Sequence, residues 1–499
     1  MLINCKCLLI KQPKSAIFTS KAVFLAIWQN SINGQQYKRG DQMDKNTELL
    51  LDRGKHIHFV GVGGISMSTL AALSVAYGYS VSGSDMNESE LVKKLAEKGV
   101  KIYLGHAAKN VEGADVVVYT AAVFGKGLDE VNAARDLGAL VITRGEFLGY
   151  LMKKYDLPIG VSGTHGKTST TGMISHIMLE AELDPTIANG AVIPSLGGAY
   201  REGGMKYFVY EACEYKDSFL SFFPKIAVIT NVELDHTDYF TDLDAIISSF
   251  KKSLAPANTV VYNMDNDGAC KAVSEFDGEK ISVSAKNDKA DFFAANVEFV
   301  NGCGKYDLVH KGRFICQITL PVIGKFNVEN SLCAAAVCVH CGVNPDTVSA
   351  ALSTFKGAKR RFERVGIVSG VAIYDDYAHH PDEIRATLTA AKNLGYNKVY
   401  CVFQPHTYSR THDLLDKFEL ALSEADEVIL ADIYAARETD TLGVSSAMLA
   451  SDIGGKYFNT FEAIAKYLTE NAKRGDLVIT MGAGDVYKVG LILRDMLSE

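Results

Sequence analysis

Short apolar runs separated by helix-like stretches recur in three series along the chain, the pattern of strands feeding helices in α/β architecture. The first series opens with the strand His56-Ile57-His58-Phe59-Val60, passes a glycine turn and enters an apolar helix from Met67 to Tyr77. Strands at 79–83, 116–120 and 140–142 complete one doubly wound unit over about residues 55–147. The second series starts with a strand at 158–162, a second glycine loop and a helix beginning near Ser169. Strands at 207–211 and 226–230 follow, and residues 288–321 alternate apolar and polar positions between glycine turns, as in an antiparallel ribbon. A helix from about Val328 to Cys341 leads to a boundary near Phe355-Lys356-Gly357. The third series predicts strands at 372–375, 398–403, 427–431 and 477–481 and a last helix. The expected organisation is an extension over 1–54 and domains over 55–147, 148–359 and 360–499.

Composition narrows the class. With 47% apolar and 22% charged residues, the 499-residue chain is neither disordered nor fibrous. Its net charge is −8 and no basic domain stands out, so nucleic acid is not an expected partner. No apolar run reaches the ~18 residues that span a bilayer, so membrane insertion is not expected either. Cys333, Cys338 and Cys341 lie in an Ala/Val-rich stretch and read as buried thiols of a cytoplasmic protein. Residues 1–42 share none of the periodicity that follows and hold the single tryptophan, Trp28. Arg39-Gly40-Asp41-Gln42 before Met43 reads as a translated purine-rich ribosome-binding site, so the natural chain is expected to begin at Met43.

Several motifs carry chemistry. Gly61-Val62-Gly63-Gly64-Ile65-Ser66 follows a strand and opens a helix, where glycines let backbone approach a diphosphate at a helix N-terminus. Asp85 closes the next strand, where such folds place a ribose-binding acid. Gly163-Thr164-His165-Gly166-Lys167-Thr168 is a phosphate loop: backbone N–H groups cradle phosphate oxygens, Lys167 neutralises them and the Thr168 hydroxyl suits Mg²⁺. Val161 stands where a full Walker A motif has its first glycine, which argues against a motor or GTPase. Glu211-Ala212-Cys213-Glu214 and Asn231-Val232-Glu233-Leu234-Asp235-His236 end the next two strands and should converge beside that loop. The third series contributes Arg360-Arg361-Phe362-Glu363, Asp375-Asp376-Tyr377-Ala378-His379-His380-Pro381 and Gln404-Pro405-His406-Thr407-Tyr408-Ser409-Arg410.

In this order, and together with Gly324-Lys325-Phe326-Asn327-Val328-Glu329-Asn330, the motifs resemble those of the Mur ligases, the ATP-dependent amino-acid ligases of peptidoglycan precursor synthesis. The resemblance covers essentially residues 55–499. It implies a Rossmann-like N-terminal domain for the UDP-sugar, a central P-loop ATPase domain with a mostly parallel sheet and an antiparallel ribbon, and a Rossmann-like C-terminal domain that closes over ATP. Within the family it points to members that join L-alanine to the lactyl carboxylate of UDP-N-acetylmuramate, working as a monomer or weak dimer. The implied roles fall residue by residue. Gly61, Gly63, Gly64, Ser84 and Asp85 would hold the UDP-sugar. Gly163 to Ser169 would hold the ATP phosphates, with Lys167 central. Asn327 and Asn330 would contact adenine, and Arg361 and Asp376 the ribose or phosphates. Thr168 and Glu211 would ligate one Mg²⁺ and His236 a second, Mn²⁺ being an acceptable substitute. Arg410 with His379 would position the reacting carboxylate or alanine. Thr407 stands where many members carry Arg. Lys251 and Lys252, in the region where other members carbamylate a lysine, read as solvated helix charges. A folylpolyglutamate synthase would lack the N-terminal glycine motif, and a nucleotide-sugar oxidoreductase would leave the phosphate loop unexplained.

Overall fold

The computed structural model describes residues 51, 55–120, 123, 126–236, 239–436 and 438–498. The expectations for residues 1–42 lie outside them. Three sheets succeed one another along the chain. The first is wholly parallel, in the order β3-β2-β1-β4-β5, from β1 (His56–Val60), β2 (Ser80–Asp85), β3 (Lys101–Leu104), β4 (Val116–Tyr119) and β5 (Leu140–Thr143). The four-residue β3, with the apolar run Ile102-Tyr103-Leu104, is not among the expected strands. The order reverses at β1, which opens a crevice at its carboxyl end, where the glycine turn sits.

The second sheet has the order β15-β14-β13-β12-β11-β10-β6-β9-β7-β8. Its strands are β6 (Leu157–Ser162), β7 (Thr186–Ile193), β8 (Gly198–Arg201), β9 (Tyr207–Glu211), β10 (Ile226–Ile229), β11 (Thr259–Asn263), β12 (Glu279–Ser284), β13 (Phe292–Val300), β14 (Cys303–His310) and β15 (Arg313–Ile323). From β12 to β7 all pairs are parallel, and the near-continuous apolar runs of β6, β9 and β10 are those of strands covered on both faces. β13, β14 and β15 form the expected antiparallel ribbon. The phosphate loop leaves β6 between its neighbours β9 and β10, so the loops after all three strands share one edge.

The third sheet runs β16-β17-β21-β18-β19-β20, from β16 (Glu363–Val368), β17 (Val371–Asp376), β18 (Val399–Phe403), β19 (Glu427–Leu430), β20 (Lys456–Tyr457) and β21 (Leu477–Met481). Only β16 is antiparallel to its neighbour. The segment joining the second and third sheets turns sharply. Gly357, Arg360 and Phe362 all have left-handed backbone, with φ of 78°, 61° and 47°.

The first and second sheets share one hydrophobic core, in which Phe147, Leu151 and Tyr155 pack with Phe208, Phe219, Phe222 and Phe250. The helix Arg144–Met152 seals this seam through a glycine. A Cβ on Gly149 would lie 2.0 Å from the Ser221 carbonyl oxygen. Gly149→Ala should therefore destabilise the protein by about 3 kcal/mol or more, since backbone must separate to admit the methyl. Urea unfolding of the variant measures it, and an unchanged midpoint would disprove this close approach.

Candidate active site

The phosphate loop is shaped by contacts that glycine alone permits. Gly166 has φ 83°, and a Cβ there would stand 2.3 Å from the Asn330 Oδ1. Gly163, at φ 142°, abuts the Thr230 hydroxyl. Gly166 caps the helix Lys167–Glu180 without any side-chain hydrogen bond, which leaves the helix N-terminus to face an anion. The helix starts two residues before the expected Ser169, so Lys167 and Thr168 belong to its first turn. Thr164 and His165 turn the other way: their N–H groups donate to the Asn231 carbonyl and to its Oδ1, at 3.0 and 2.7 Å.

Two acids divide the work at the end of β9. Glu211 Oε2 accepts from the Thr168 hydroxyl at 2.8 Å and from the Gly190 N–H at 3.0 Å. Glu214, fully buried, takes Lys167 Nζ at 3.0 Å and lies 3.5 Å from His236 Nε2. Burial opposes the charge of both members of the Lys167–Glu214 pair, yet each holds the other ionised: the lysine is raised by Glu214, Cys213 and Glu211, and the glutamate is lowered by Lys167 and His236. The Lys167 ammonium also donates to the carbonyls of Gly163 and Thr164. His236, with left-handed backbone at φ 53°, lies against the Tyr215 ring at 4.6 Å between centroids. The sequence displayed Glu214 in its motif but gave it no task. An acid three residues beyond a strand end, beside a buried lysine, is the signal that could have assigned one.

Among the described residues no three His, Cys, Asp or Glu side chains gather as a metal cage. Thr168 and Glu211 instead form a two-oxygen set. That fits a Mg²⁺ ion that draws its other ligands from phosphate and water. Glu214 stands closest to His236 of the two acids that end β9, so the structure brings Thr168 and Glu211 together as one pair and His236 to the neighbouring Lys167–Glu214 pair.

The third sheet sends its β17 and β18 loops to the same edge. Asp376 is buried. Its two oxygens accept the N–H groups of Ala378 and Phe362, at 2.7 and 2.8 Å, so it braces the Arg361 loop from within. Burial outweighs Arg361 and these hydrogen bonds and raises its carboxyl to about 6. Arg361 lies over the Tyr377 ring and 4.0 Å from Glu383 Oε1. His379 donates from Nδ1 to the Tyr377 carbonyl at 3.1 Å and meets the His406 ring edge-on; His406 Nδ1 in turn lies 3.4 Å from Arg410 Nη1. Asn330 backs the phosphate loop and donates to Asn327 Oδ1 at 3.2 Å. Lys251 pairs with Glu275 at the surface.

Burial, with the Arg410 charge adding to it, pushes the His379 imidazole down to about 4. An unfolded histidine takes its proton near pH 6.5, so this group's contribution to stability is complete above that pH and is lost as the pH falls from there towards 4. Between pH 7 and pH 5 the wild type should therefore lose up to about 2 kcal/mol more than His379→Gln. Urea titrations at both pH values check it; equal losses would refute the neutral assignment.

In the first sheet Gly63 donates to Asp85 Oδ2 at 2.8 Å, and a Cβ on Gly63 would strike that carboxylate. Asp85 thus braces the glycine turn. Ser84 is fully buried, and its hydroxyl donates to Glu130 at 2.8 Å, away from the mouth of the turn. The β2 carbonyl of Ser84, rather than its side chain, serves the turn by accepting from Gly61 and Val62.

A cavity of about 750 Å³ joins these parts, lined by Ser66 and Thr69 from the first sheet's helix, Thr168 and Glu211 from the second, and Arg360 and Arg361 from the third. Comparison with known proteins agrees with this three-part site. The Mur ligase family catalytic domain matches residues 56–156, the Mur ligase middle domain residues 161–338, and the Mur ligase glutamate ligase domain residues 360–484. The chain is 45% identical over 463 residues to the UDP-N-acetylmuramate--L-alanine ligase of Acetivibrio thermocellus, covering 91% of this chain and 98% of that one. The chain belongs to the Mur ligase family. To the enzyme of the same description from Lachnospira eligens it is 48% identical over 445 residues, covering 87% and 97% of the two. Among solved Mur ligases, the UDP-N-acetylmuramate-alanine ligase MurC of Thermotoga maritima superposes with a TM-score of 0.75 at 27% identity, covering 88% of this chain and 98% of that one.

Proposed function

We propose that this Mur ligase joins L-alanine to the lactyl carboxylate of UDP-N-acetylmuramate at the cost of ATP, the first peptide step of peptidoglycan precursor synthesis. The observation that carries the reading is one cavity lined by Ser66 of the glycine-turn helix, by Thr168 where the phosphate loop enters its helix, and by Arg360 and Arg361. It is supported by the identity to ligases of that description over nearly their whole length. No helix among the described residues is long and apolar enough to cross a membrane. The precursor would be made in the cytoplasm, by a monomer or weak dimer.

The lactyl carboxylate is a poor electrophile, because amide formation would have to expel oxide. Its oxygen attacks the ATP γ-phosphorus, ADP leaves, and an acyl phosphate forms. Lys167, turning a donor from a loop carbonyl, and the N-terminus of its helix would hold the phosphate oxygens through this step, and Arg361 would approach them from the third domain. Glu214 keeps Lys167 charged and in place. The alanine amine then attacks the acyl carbon, phosphate leaves and the amine gives up a proton. Arg410, set by His406 beside neutral His379, would orient the alanine carboxylate. Thr168 and Glu211 would hold Mg²⁺, and His236 a second ion for which Mn²⁺ can stand in; bound metal would offset charge on the transferring phosphoryl group. Closure of the three walls around that cavity would juxtapose the three substrates and keep water from the acyl phosphate.

Phosphate release with UDP-N-acetylmuramate, ATP and each amino acid in turn tests the reading. L-Alanine should support turnover well above every other amino acid. Turnover with a tripeptide acceptor in place of L-alanine would overturn it.

A further inference from the structure

We infer that Glu383 is a positioning residue that ties the third domain's arginine loop to the phosphate loop through His165. It thereby fixes where Arg361 stands relative to Lys167. The inference rests on the ligase reading above.

The contact joins residues 218 positions apart, with His165 Nδ1 lying 3.3 Å from Glu383 Oε1. The His165 backbone is fully committed within its own domain. Its N–H donates to Asn231 Oδ1, and its carbonyl accepts from the Thr230 hydroxyl at 2.6 Å and from Asn231 Nδ2 at 3.1 Å. The backbone that carries the imidazole is therefore fixed, and the ring reaches out of its domain through Nδ1. Its ring lies 6.3 Å from that of His380, and its other nitrogen is 3.9 Å from Glu233.

Glu383 is equally well anchored from its own side. Its Oε2 accepts the N–H groups of His379 and His380, at 3.2 and 3.4 Å, which caps the helix Pro381–Lys392. Its Oε1 faces His165 and stands 4.0 Å from Arg361 Nη1. One carboxylate thus holds the helix start, the arginine and the phosphate loop. Electrostatics agree with the geometry. Burial works against charge on both groups, yet Glu383 is held well below the usual carboxylate range by His165, His379 and Arg361, and His165 is raised by Glu383. A charge-assisted hydrogen bond between domains suits a contact that must form in one orientation only.

The test is a double-mutant cycle on the full-length enzyme with His165→Ala, Glu383→Gln and the pair. Glutamine keeps an amide oxygen for the helix cap, so Glu383→Gln should melt within a few degrees of the wild type. Each single variant should lower kcat for alanine-dependent phosphate release about tenfold, with the KM for UDP-N-acetylmuramate unchanged. The double variant should fall no further than the worse single one. Amide hydrogen exchange across residues 163–169, which needs no turnover, should rise in both single variants and no more in the double. If the wild type gives no alanine-dependent release, the ligase reading fails, and exchange alone still judges the contact. Multiplying effects in the double variant, or wild-type exchange in the singles, would overturn the inference.

Discussion

Lys167→Ala should abolish ligation while UDP-sugar affinity stays near the wild-type value. Removing a charge that stabilises the moving phosphoryl group costs roughly 10²–10³ in rate or more. The Gly61–Ser66 turn and Asp85, proposed here to hold the UDP-sugar, belong to another sheet, so most of that affinity should survive. The structure adds a second effect. Lys167 neutralises Glu214, which is fully buried. Deleting one member of such a buried pair costs up to about 3–5 kcal/mol, offset in part here by His236, whose Nε2 lies 3.5 Å from Glu214. The single variant should melt well below the wild type, and Lys167→Ala combined with Glu214→Gln should recover much of that loss without recovering activity. Calorimetry with the UDP-sugar and thermal melts of both variants make the check. Lost UDP-sugar affinity in a folded variant would contradict the division of labour between the two domains.

Glu211→Gln should raise the free Mg²⁺ needed for half-maximal activity by at least about tenfold at saturating ATP. The reason is positional. Glu211 ends β9 and meets the Thr168 hydroxyl across the phosphate loop, which assembles two hard oxygens at one point. A competing assignment, in which Glu211 serves only to pair with Lys167, is weakened because Glu214 already occupies that role. His236→Ala should shift the same titration less steeply. Its nitrogen suits Mn²⁺ better than Mg²⁺, so the wild type should show a Mn²⁺ preference that the variant loses. Activity against free metal decides, and midpoints unmoved in both variants would falsify the metal roles.

What the sequence disclosed follows from how local each signal was. The phosphate loop was legible because its glycines, lysine and hydroxyl are consecutive, and the strand before it is a continuous apolar run. β9 and β21 were readable to the residue for the same reason. The paired β7 and β8 were not: Gly190, Gly197 and Gly198 interrupt their pattern, and their strand character comes from pairing with β9 and with each other. The short β3 and the edge strand β16 owe their form to neighbours as well. In the site, Thr168 and Glu211 were foreseeable as a pair, since both follow adjacent parallel strands. Ser84, on a strand, was not foreseeable as buried, because its partner Glu130 lies 46 positions away on the helix Lys126–Asp136. The contact between His165 and Glu383 depends on how two domains meet, and no spacing along the chain encodes that.

The core shared by the first two sheets bears on how the molecule comes apart. Tyr155 stacks on Phe208 with ring centroids 4.8 Å apart, and Phe147 and Leu151 bury against the same cluster as Phe219 and Phe250. The third sheet keeps its own two cores, one on each face. Cooperative melting follows packed apolar surface rather than family boundaries. Residues 56–358 should thus lose structure as one unit, with the portion beyond 360 free to melt separately. A fragment ended at residue 156 would bare Phe147, Leu151 and Tyr155 to water, and it would be recovered as aggregate rather than as an isolated UDP-binding module.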